Sequence, residues 1–166
     1  MKQFKPNVTH DVWLPFKGTS TCPKATGSVH VSVTFSLAPP PLRQRRASVS
    51  EVEMFGGGKL ELEIVSASGL IAMDSSLFSK QGNSDPYCKV FASSKESKKN
   101  VLLGKTKVVK KRLDPVFNFK ENFLINRTMN PTVSIVIYDY DAMSLDDPMG
   151  KVDVELLEHV GVGGGE

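Results

Sequence analysis

The length, composition and charge of the chain exclude several classes of protein. Its 166 residues carry 21 Lys and Arg against 18 Asp and Glu, and 40% of them are hydrophobic. This is enough for a globular domain with a substantial core. The two cysteines indicate neither a disulfide framework nor a zinc site. We find no apolar run of membrane-spanning length and no apolar secretory core near the N-terminus, so we expect a cytoplasmic protein.

Charge is distributed unevenly along the chain. Residues 80–112 contain ten basic and two acidic side chains, whereas residues 139–158 contain seven acidic side chains and one basic. A uniformly basic nucleic-acid binder would not combine a basic middle with an acidic later part, and RNA-binding modules add an aromatic-rich signature. The chain has an acidic later part and lacks that signature, so we expect no nucleic-acid partner.

Residues 1–36 form a polar N-terminal segment that ends in a predicted strand. The segment includes the apolar group W-L-P-F at residues 13–16. Residues 27–36 then alternate, with Val and Phe on one side and His, Ser and Thr on the other, which predicts a half-buried strand. Three prolines and, later, three consecutive glycines mark residues 37–58, which we interpret as a flexible linker.

From residue 59 onward, short apolar runs alternate with turn residues. They predict strands at residues 60–67, 87–92, 102–109, 116–125, 133–138 and 150–154. Together with residues 27–36, these strands indicate an all-β fold, namely an antiparallel Greek-key β-sandwich. The glycine-rich end, residues 161–166, is predicted to be disordered.

Acidic side chains cluster directly after the predicted strand 133–138. Asp139, Asp141, Asp146 and Asp147 fall within nine positions, where carboxylates repel one another unless they stay solvated or share a cation. Oxygen ligands on a flexible loop suit calcium, which takes about six to eight oxygen atoms. A solvated polar loop is the alternative interpretation. The choice between a calcium site and a solvated loop depends on whether other carboxylates, from loops distant in sequence, gather at the same end of the sandwich.

A series of motifs occurs in order between residues 59 and 160. They read L-E-L-E-I-V-S-A-S-G-L, A-M-D, S-D-P-Y, K-T-K-V-V-K-K-R-L-D-P-V-F-N, Y-D-Y-D and D-D-P-M-G. In this order they resemble a C2 domain of the synaptotagmin and protein kinase C type. The resemblance implies an eight-stranded sandwich that binds calcium through five loop aspartates, namely Asp74, Asp85, Asp139, Asp141 and Asp147. Asp146 lies outside this pattern, and we interpret it as a solvated loop charge.

The same resemblance implies binding of anionic phospholipids, both phosphatidylserine and phosphoinositides. It assigns Lys105 and Lys107 to a lysine-rich patch that contacts phosphoinositides. Leu77, Phe78 and Met143 are the apolar side chains that we predict to enter the membrane interface from the loop tips. For Leu77 and Phe78, packing inside their own long loop is an equal alternative.

The final strand of a C2 domain is missing after residue 160, which leaves the role of residues 1–36 open. These residues either complete the sandwich of residues 59–160 or form the tail of a preceding C2 domain. We favour completion, with residues 37–58 looping out.

The expected function is binding and not catalysis, because no nucleophile motif or phosphate-binding glycine loop is present. We expect a calcium-dependent, peripheral module on anionic membrane surfaces, acting in membrane trafficking, membrane contact or signalling. The alternative is a calcium-independent C2 module that binds proteins.

Overall fold

The computed structural model describes residues 2–36, 58–72, 84–93, 100–125 and 132–156. Within these ranges the chain forms nine strands, which are β1 (Lys2–Phe4), β2 (Thr9–Pro15), β3 (Ser28–Ser36), β4 (Gly58–Ser68), β5 (Pro86–Ser93), β6 (Val101–Lys105), β7 (Val116–Ile125), β8 (Thr132–Asp139) and β9 (Asp147–Leu156). Outside the described ranges lie Asp74, Leu77, Phe78, nearly all of the linker 37–58 and the tail 161–166. What the sequence indicates for them stays a prediction.

The strands form two sheets around one hydrophobic core. One sheet has the order β1-β9-β8-β5-β6 and the other β2-β3-β4-β7. Every pairing is antiparallel except that of β1 with β9, which is parallel. The predicted all-β antiparallel sandwich is therefore confirmed. The three-residue β1 adds a short parallel strand to the eight longer ones.

The alternating strands bury one face each, as their sequences predict. On β3 the side chains of Val29, Val31, Val33 and Phe35 are at most 3% exposed, while the residues between them remain partly accessible. On β4 the same alternation buries Leu60, Leu62 and Ile64. Because successive side chains point to opposite faces of a strand, this pattern gives each strand one core face and one outer face.

The N-terminal segment pairs with residues that follow the linker. β3 lies antiparallel to β4 from Ser36–Lys59 to Ser28–Ser68, and β1 lies beside the end of β9. Phe4 is buried in the common core. In the described structure, residues 2–36 thus contribute strands to both sheets. The division of the chain at residues 36, 58 and 160 remains a prediction.

One strand is shorter than its predicted range of 102–109, since β6 ends at Lys105. The hydroxyl of Thr106 accepts a hydrogen bond of 2.9 Å from the N–H of Cys88, so a side chain replaces the backbone acceptor of the ladder. The chain then continues beside the start of β5, where the Val109 N–H donates to the Pro86 carbonyl at 2.9 Å. This course carries the basic residues past the end of the sheet.

Candidate functional site

Three of the predicted calcium-binding aspartates lie at one edge of the five-stranded sheet. Pro86 at the start of β5 is paired with Asp139 at the end of β8, and Asp139 is paired with Asp147 at the start of β9. Asp85 directly precedes Pro86, so its backbone lies at the same edge. Asp141 follows two residues after the end of β8. The antiparallel order of β5, β8 and β9 therefore gathers residues that are up to 62 positions apart in sequence.

Hydrogen bonds hold these loop residues against one another. Asp139 is buried, and its Oδ1 accepts a 2.8 Å hydrogen bond from the Asp85 N–H. Asp85 Oδ1 accepts one of 2.7 Å from the Lys111 N–H, and the Tyr140 N–H donates to the Asp85 carbonyl at 3.0 Å. Asp85 is thus tied both to the basic segment after β6 and to the loop after β8.

The loop 140–146 is closed by its own aspartates. Asp141 accepts hydrogen bonds from the Ser144 hydroxyl at 2.6 Å and from the Met143 N–H at 2.8 Å, and these bonds lower the pKa of its carboxyl group. Met143 and Leu145 are 93% and 89% exposed at the tip of this turn. Of these two residues, the sequence indicates Met143 as a membrane-entering side chain, whereas Leu145 was missed. An apolar residue between Ser144 and Asp146 in an acidic loop is the signal that would have identified it.

The donor atoms at this edge fit calcium in their chemistry, because all of them are carboxylate oxygens. Among the residues that the structure describes, however, no three acidic, His or Cys side chains are grouped closely enough to hold a metal ion. Asp74, the fifth aspartate of the predicted set, lies outside those residues. Both oxygens of Asp141 are also engaged within its own loop.

A basic cleft of about 520 Å³ adjoins the same loop. It is lined by Tyr87, Lys89, Lys105, Thr106, Lys107, Val108, Tyr140 and Asp146. Both lysines that the sequence analysis assigns to lipid contact thus lie in one concavity. The third lysine, Lys89, was missed because it stands alone in the apolar strand β5.

Lys89 is held in the cleft by aromatic rings. Its Nζ lies 4.6 Å from the centroid of the Tyr138 ring and 5.7 Å from that of Tyr87, and the two rings stack at 5.6 Å. A cation above such rings is attracted by their negative faces. The ammonium group is therefore positioned on the outer face of the sheet, across from Lys105, with which Lys89 pairs on β6.

Asp146 occupies a place that the sequence analysis does not foresee. Our interpretation of a solvated loop charge is wrong in one respect, since both carboxylate oxygens accept hydrogen bonds. Tyr87 donates its hydroxyl proton to Asp146 Oδ2, and the Asp141 N–H donates to Asp146 Oδ1 at 3.0 Å. These bonds lower the pKa of Asp146, while burial and then the Asp146 carboxylate raise the pKa of Tyr87.

The fold and the residues at this end of the sheet define a β-sandwich with a candidate binding site built from loops. A family model described as "C2 domain" matches residues 58–164, so the chain belongs to the C2 domain family and the resemblance noted from the sequence is confirmed. The match begins at β4 and leaves out β1, β2 and β3. In the part of the chain that the structure describes, no helix is long and apolar enough to cross a membrane.

Individual relatives match a similar share of the chain. It is 36% identical over 99 residues to tricalbin-1 of Saccharomyces cerevisiae, which covers 60% of this chain and 8% of that protein. It is 38% identical over 106 residues to synaptotagmin-1 of Caenorhabditis elegans, with coverages of 61% and 22%. The chain therefore spans less than a quarter of either relative. Among solved structures, a C2 domain of RIM from Drosophila aligns with a TM-score of 0.46 and 26% identity, covering 61% of this chain and 78% of that one.

Proposed function

We propose that this C2 domain is a cytoplasmic, peripheral module that binds anionic phospholipid membranes in a calcium-dependent manner, in membrane trafficking, membrane contact or signalling. The observation that carries the proposal is the continuity of three features at one end of the sheet. The lysine-lined cleft shares Tyr140 and Asp146 with the loop whose apolar tip is exposed, and that loop begins at the edge that bears the aspartates. At this end of the sheet, a lipid head group would contact the lysines, the acyl region of the membrane would contact the apolar loop tip, and a cation would be bound by the aspartates.

The cleft supplies the electrostatic part of the binding. Lys89, Lys105 and Lys107 line it on the side of β5 and β6. Each basic side chain near an anionic leaflet contributes about 1 kcal/mol. A concave arrangement of three ammonium groups favours a compact, multiply charged head group over a single distributed charge. We therefore propose that phosphoinositides bind in the cleft and phosphatidylserine more generally at the surface.

The loop tip supplies the apolar part. Met143 and Leu145 project from the same turn, and fully burying a side chain of this size contributes roughly 1.5–3 kcal/mol. An exposed pair of this kind has no packing partner within the described chain. Insertion into the membrane interface gives both side chains an apolar environment. Leu77 and Phe78 remain proposed members of the same contact.

Calcium would be held by Asp74, Asp85, Asp139, Asp141 and Asp147. When bound, it supplies positive charge and open coordination positions that phosphate or carboxylate oxygens of lipids can occupy. The protein contributes the position of the ligands, because Asp139 is fixed by the Asp85 N–H at the end of β8. Asp141 has to exchange its contacts with Met143 and Ser144 for the ion.

Co-sedimentation with vesicles tests the proposal. Vesicles of phosphatidylcholine with added phosphatidylserine or phosphatidylinositol bisphosphate are incubated with the full chain, in calcium or in chelator. We expect pelleting on anionic vesicles that rises with calcium. The double variant Lys105→Ala with Lys107→Ala should lose more binding to the phosphoinositide than to phosphatidylserine. Lys120→Ala, on the exposed part of β7 in the other sheet, is the control.

The result also decides between the two candidate functions. Equal pelleting in calcium and in chelator would exclude calcium dependence. No pelleting under any condition would favour the calcium-independent module with protein partners. An equal loss for both lipids in the lysine variant would mean that the lysines act through general charge alone.

A further inference from the structure

The basic cleft contains one carboxylate. Asp146 is the acidic residue among the lining residues, and Lys89, Lys105 and Lys107 line the same cleft. Its contacts are specific, since one oxygen accepts the Tyr87 hydroxyl proton and the other accepts the Asp141 N–H. A negative charge placed in this way partly neutralises the lysines before any ligand arrives.

From this geometry we infer that Asp146 is an internal counter-anion of the cleft, which a multiply phosphorylated inositol must displace in order to bind. The inference rests on the proposed function, because it concerns the same cleft and the same chemical class of ligand. It assigns to Asp146 a role that opposes ligand binding, in contrast to the lysines of the cleft, which favour it.

Competition for one donor explains why displacement is required. The hydroxyl of Tyr87 has a single proton, which can be donated to Asp146 or to a phosphate oxygen, but not to both. A phosphate that enters the cleft also brings its negative charge close to that of the carboxylate, and like charges repel. The phosphate and Asp146 therefore cannot share Tyr87.

Displacement of Asp146 has a consequence for the apolar tip. Asp146 Oδ1 closes the loop by accepting the Asp141 N–H, and Asp141 in turn holds the Met143 N–H. When Asp146 leaves, the first of these bonds is lost, and the loop that carries Met143 and Leu145 is less constrained. Ligand binding in the cleft and the freedom of the tip are thereby linked.

Two substitutions separate the charge of Asp146 from its hydrogen bond to the Asp141 N–H. Asp146→Asn removes the charge and keeps one oxygen that can accept the Asp141 N–H, while an NH2 group replaces the oxygen that accepts the Tyr87 hydroxyl proton. Asp146→Ala removes the charge and both acceptor oxygens. Glu121→Gln is the matched control, because it removes one negative charge from an exposed position on β7 in the other sheet. Lys105→Ala with Lys107→Ala reports on the cleft itself.

Binding is measured in the presence of a chelator, so that calcium plays no part. Two probes distinguish a soluble inositol phosphate from a lipid head group in a membrane. Soluble inositol trisphosphate is titrated by calorimetry, and phosphatidylcholine vesicles with phosphatidylinositol bisphosphate are used in co-sedimentation. We expect Asp146→Asn to bind about three- to tenfold more tightly than the unmodified chain, as estimated for one unit charge at close range when water screens the interaction as in bulk solvent. Glu121→Gln should bind like the unmodified chain. Tightening with either probe supports the inference, and tightening with vesicles alone identifies the lipid as the source.

The remaining outcomes overturn the inference in distinguishable ways. If the unmodified chain binds and Asp146→Asn binds equally or more weakly, Asp146 is no counter-anion, while head-group binding in the cleft stands. If neither chain binds and the lysine variant changes nothing, head-group binding fails along with the inference. Amide hydrogen exchange gives a second readout, in which inositol trisphosphate should accelerate exchange of the Asp141 N–H. Unchanged exchange on binding would show that Asp146 stays in place.

Discussion

The β3–β4 ladder and the loop 140–146 use apolar side chains in opposite ways. On β3, Phe35 lies in the core and its backbone is paired with β4. In the loop, Met143 and Leu145 are nearly as exposed as a side chain can be, and the turn around them is held by polar contacts. Burial stabilises the fold in the first region and does not in the second. Stability and the proposed membrane binding therefore depend on different residues, and substitutions should separate them.

The strongest test of this comparison is the substitution Phe35→Ala. Removing a fully buried phenylalanine should lower the free energy of unfolding by about 3–5 kcal/mol, since the cavity adds to the lost burial. Unfolding of the full chain in urea measures the change. Ser32→Ala, on the outer face of the same strand, should change the free energy by less than about 0.5 kcal/mol. Equal small effects would mean that residues 2–36 do not complete the sandwich and belong to a neighbouring domain.

A glycine tests the contact between the N-terminal segment and β9. A Cβ atom on Gly150 would lie 2.8 Å from Phe16 Cβ, which is too close for two carbon atoms. The backbones cannot separate easily there, because Lys17 and Lys151 exchange hydrogen bonds of 2.8 and 3.0 Å. We expect Gly150→Ala to destabilise the chain by about 1–3 kcal/mol through overpacking. Thermal unfolding provides the measurement.

The control for this prediction is the same substitution at Gly104 on β6. An added Cβ there meets only side-chain atoms of Phe119 and Phe123 at 3.4 Å or more, which is ordinary contact. Gly104→Ala should therefore be tolerated. If the two variants are equally stable, Phe16 does not pack on β9 in solution.

A smaller effect on stability, and a large one on binding, is expected from Asp139→Asn with Asp141→Asn. Asn retains the oxygen that accepts the Asp85 N–H, so the sandwich should remain folded. Calcium affinity should fall at least about tenfold, because two carboxylate ligands are lost from the proposed site. Titration calorimetry measures the affinity and circular dichroism the fold. Glu63→Gln with Glu121→Gln removes the same charge from the other sheet and serves as the control. An unchanged calcium affinity would place the ligands elsewhere.

The strands could be predicted because their signal is local. On β3 and β4, alternation of apolar and polar residues is visible within each stretch and corresponds directly to the two faces of a strand. The end of β6 could not be predicted in the same way. Val108 and Val109 continue the apolar pattern, but the hydroxyl of Thr106 ends the ladder by bonding to a residue on another strand.

The candidate site could be proposed from the sequence to the extent that it consists of motifs. The aspartates and the two lysines occur in ordered runs that identify the family, whereas Asp146 and Lys89 acquire their positions from distant partners. Tyr87 lies 59 positions before Asp146, and nothing in the residues around either one indicates their hydrogen bond. Lys89 is a single charge in an apolar strand, and its place in the cleft follows from its pairing with β6. Such contacts depend on sheet order, which a local pattern does not contain.

The smallest expected effect concerns the apolar tip, and it tests the second half of the comparison directly. Met143→Ser and Leu145→Ser should leave the free energy of unfolding unchanged, because both side chains are exposed in the folded chain and lose no packing. Membrane affinity should fall about three- to tenfold for each, since insertion at the interface buries only part of the side chain. Binding to phosphatidylserine vesicles in calcium is the measurement. Val101→Ser is the control, because Val101 is also exposed but pairs with Ala92, at the opposite end of β5 from Pro86. If Val101→Ser weakens binding as much as the tip variants do, the membrane contact is not made by the loop 140–146.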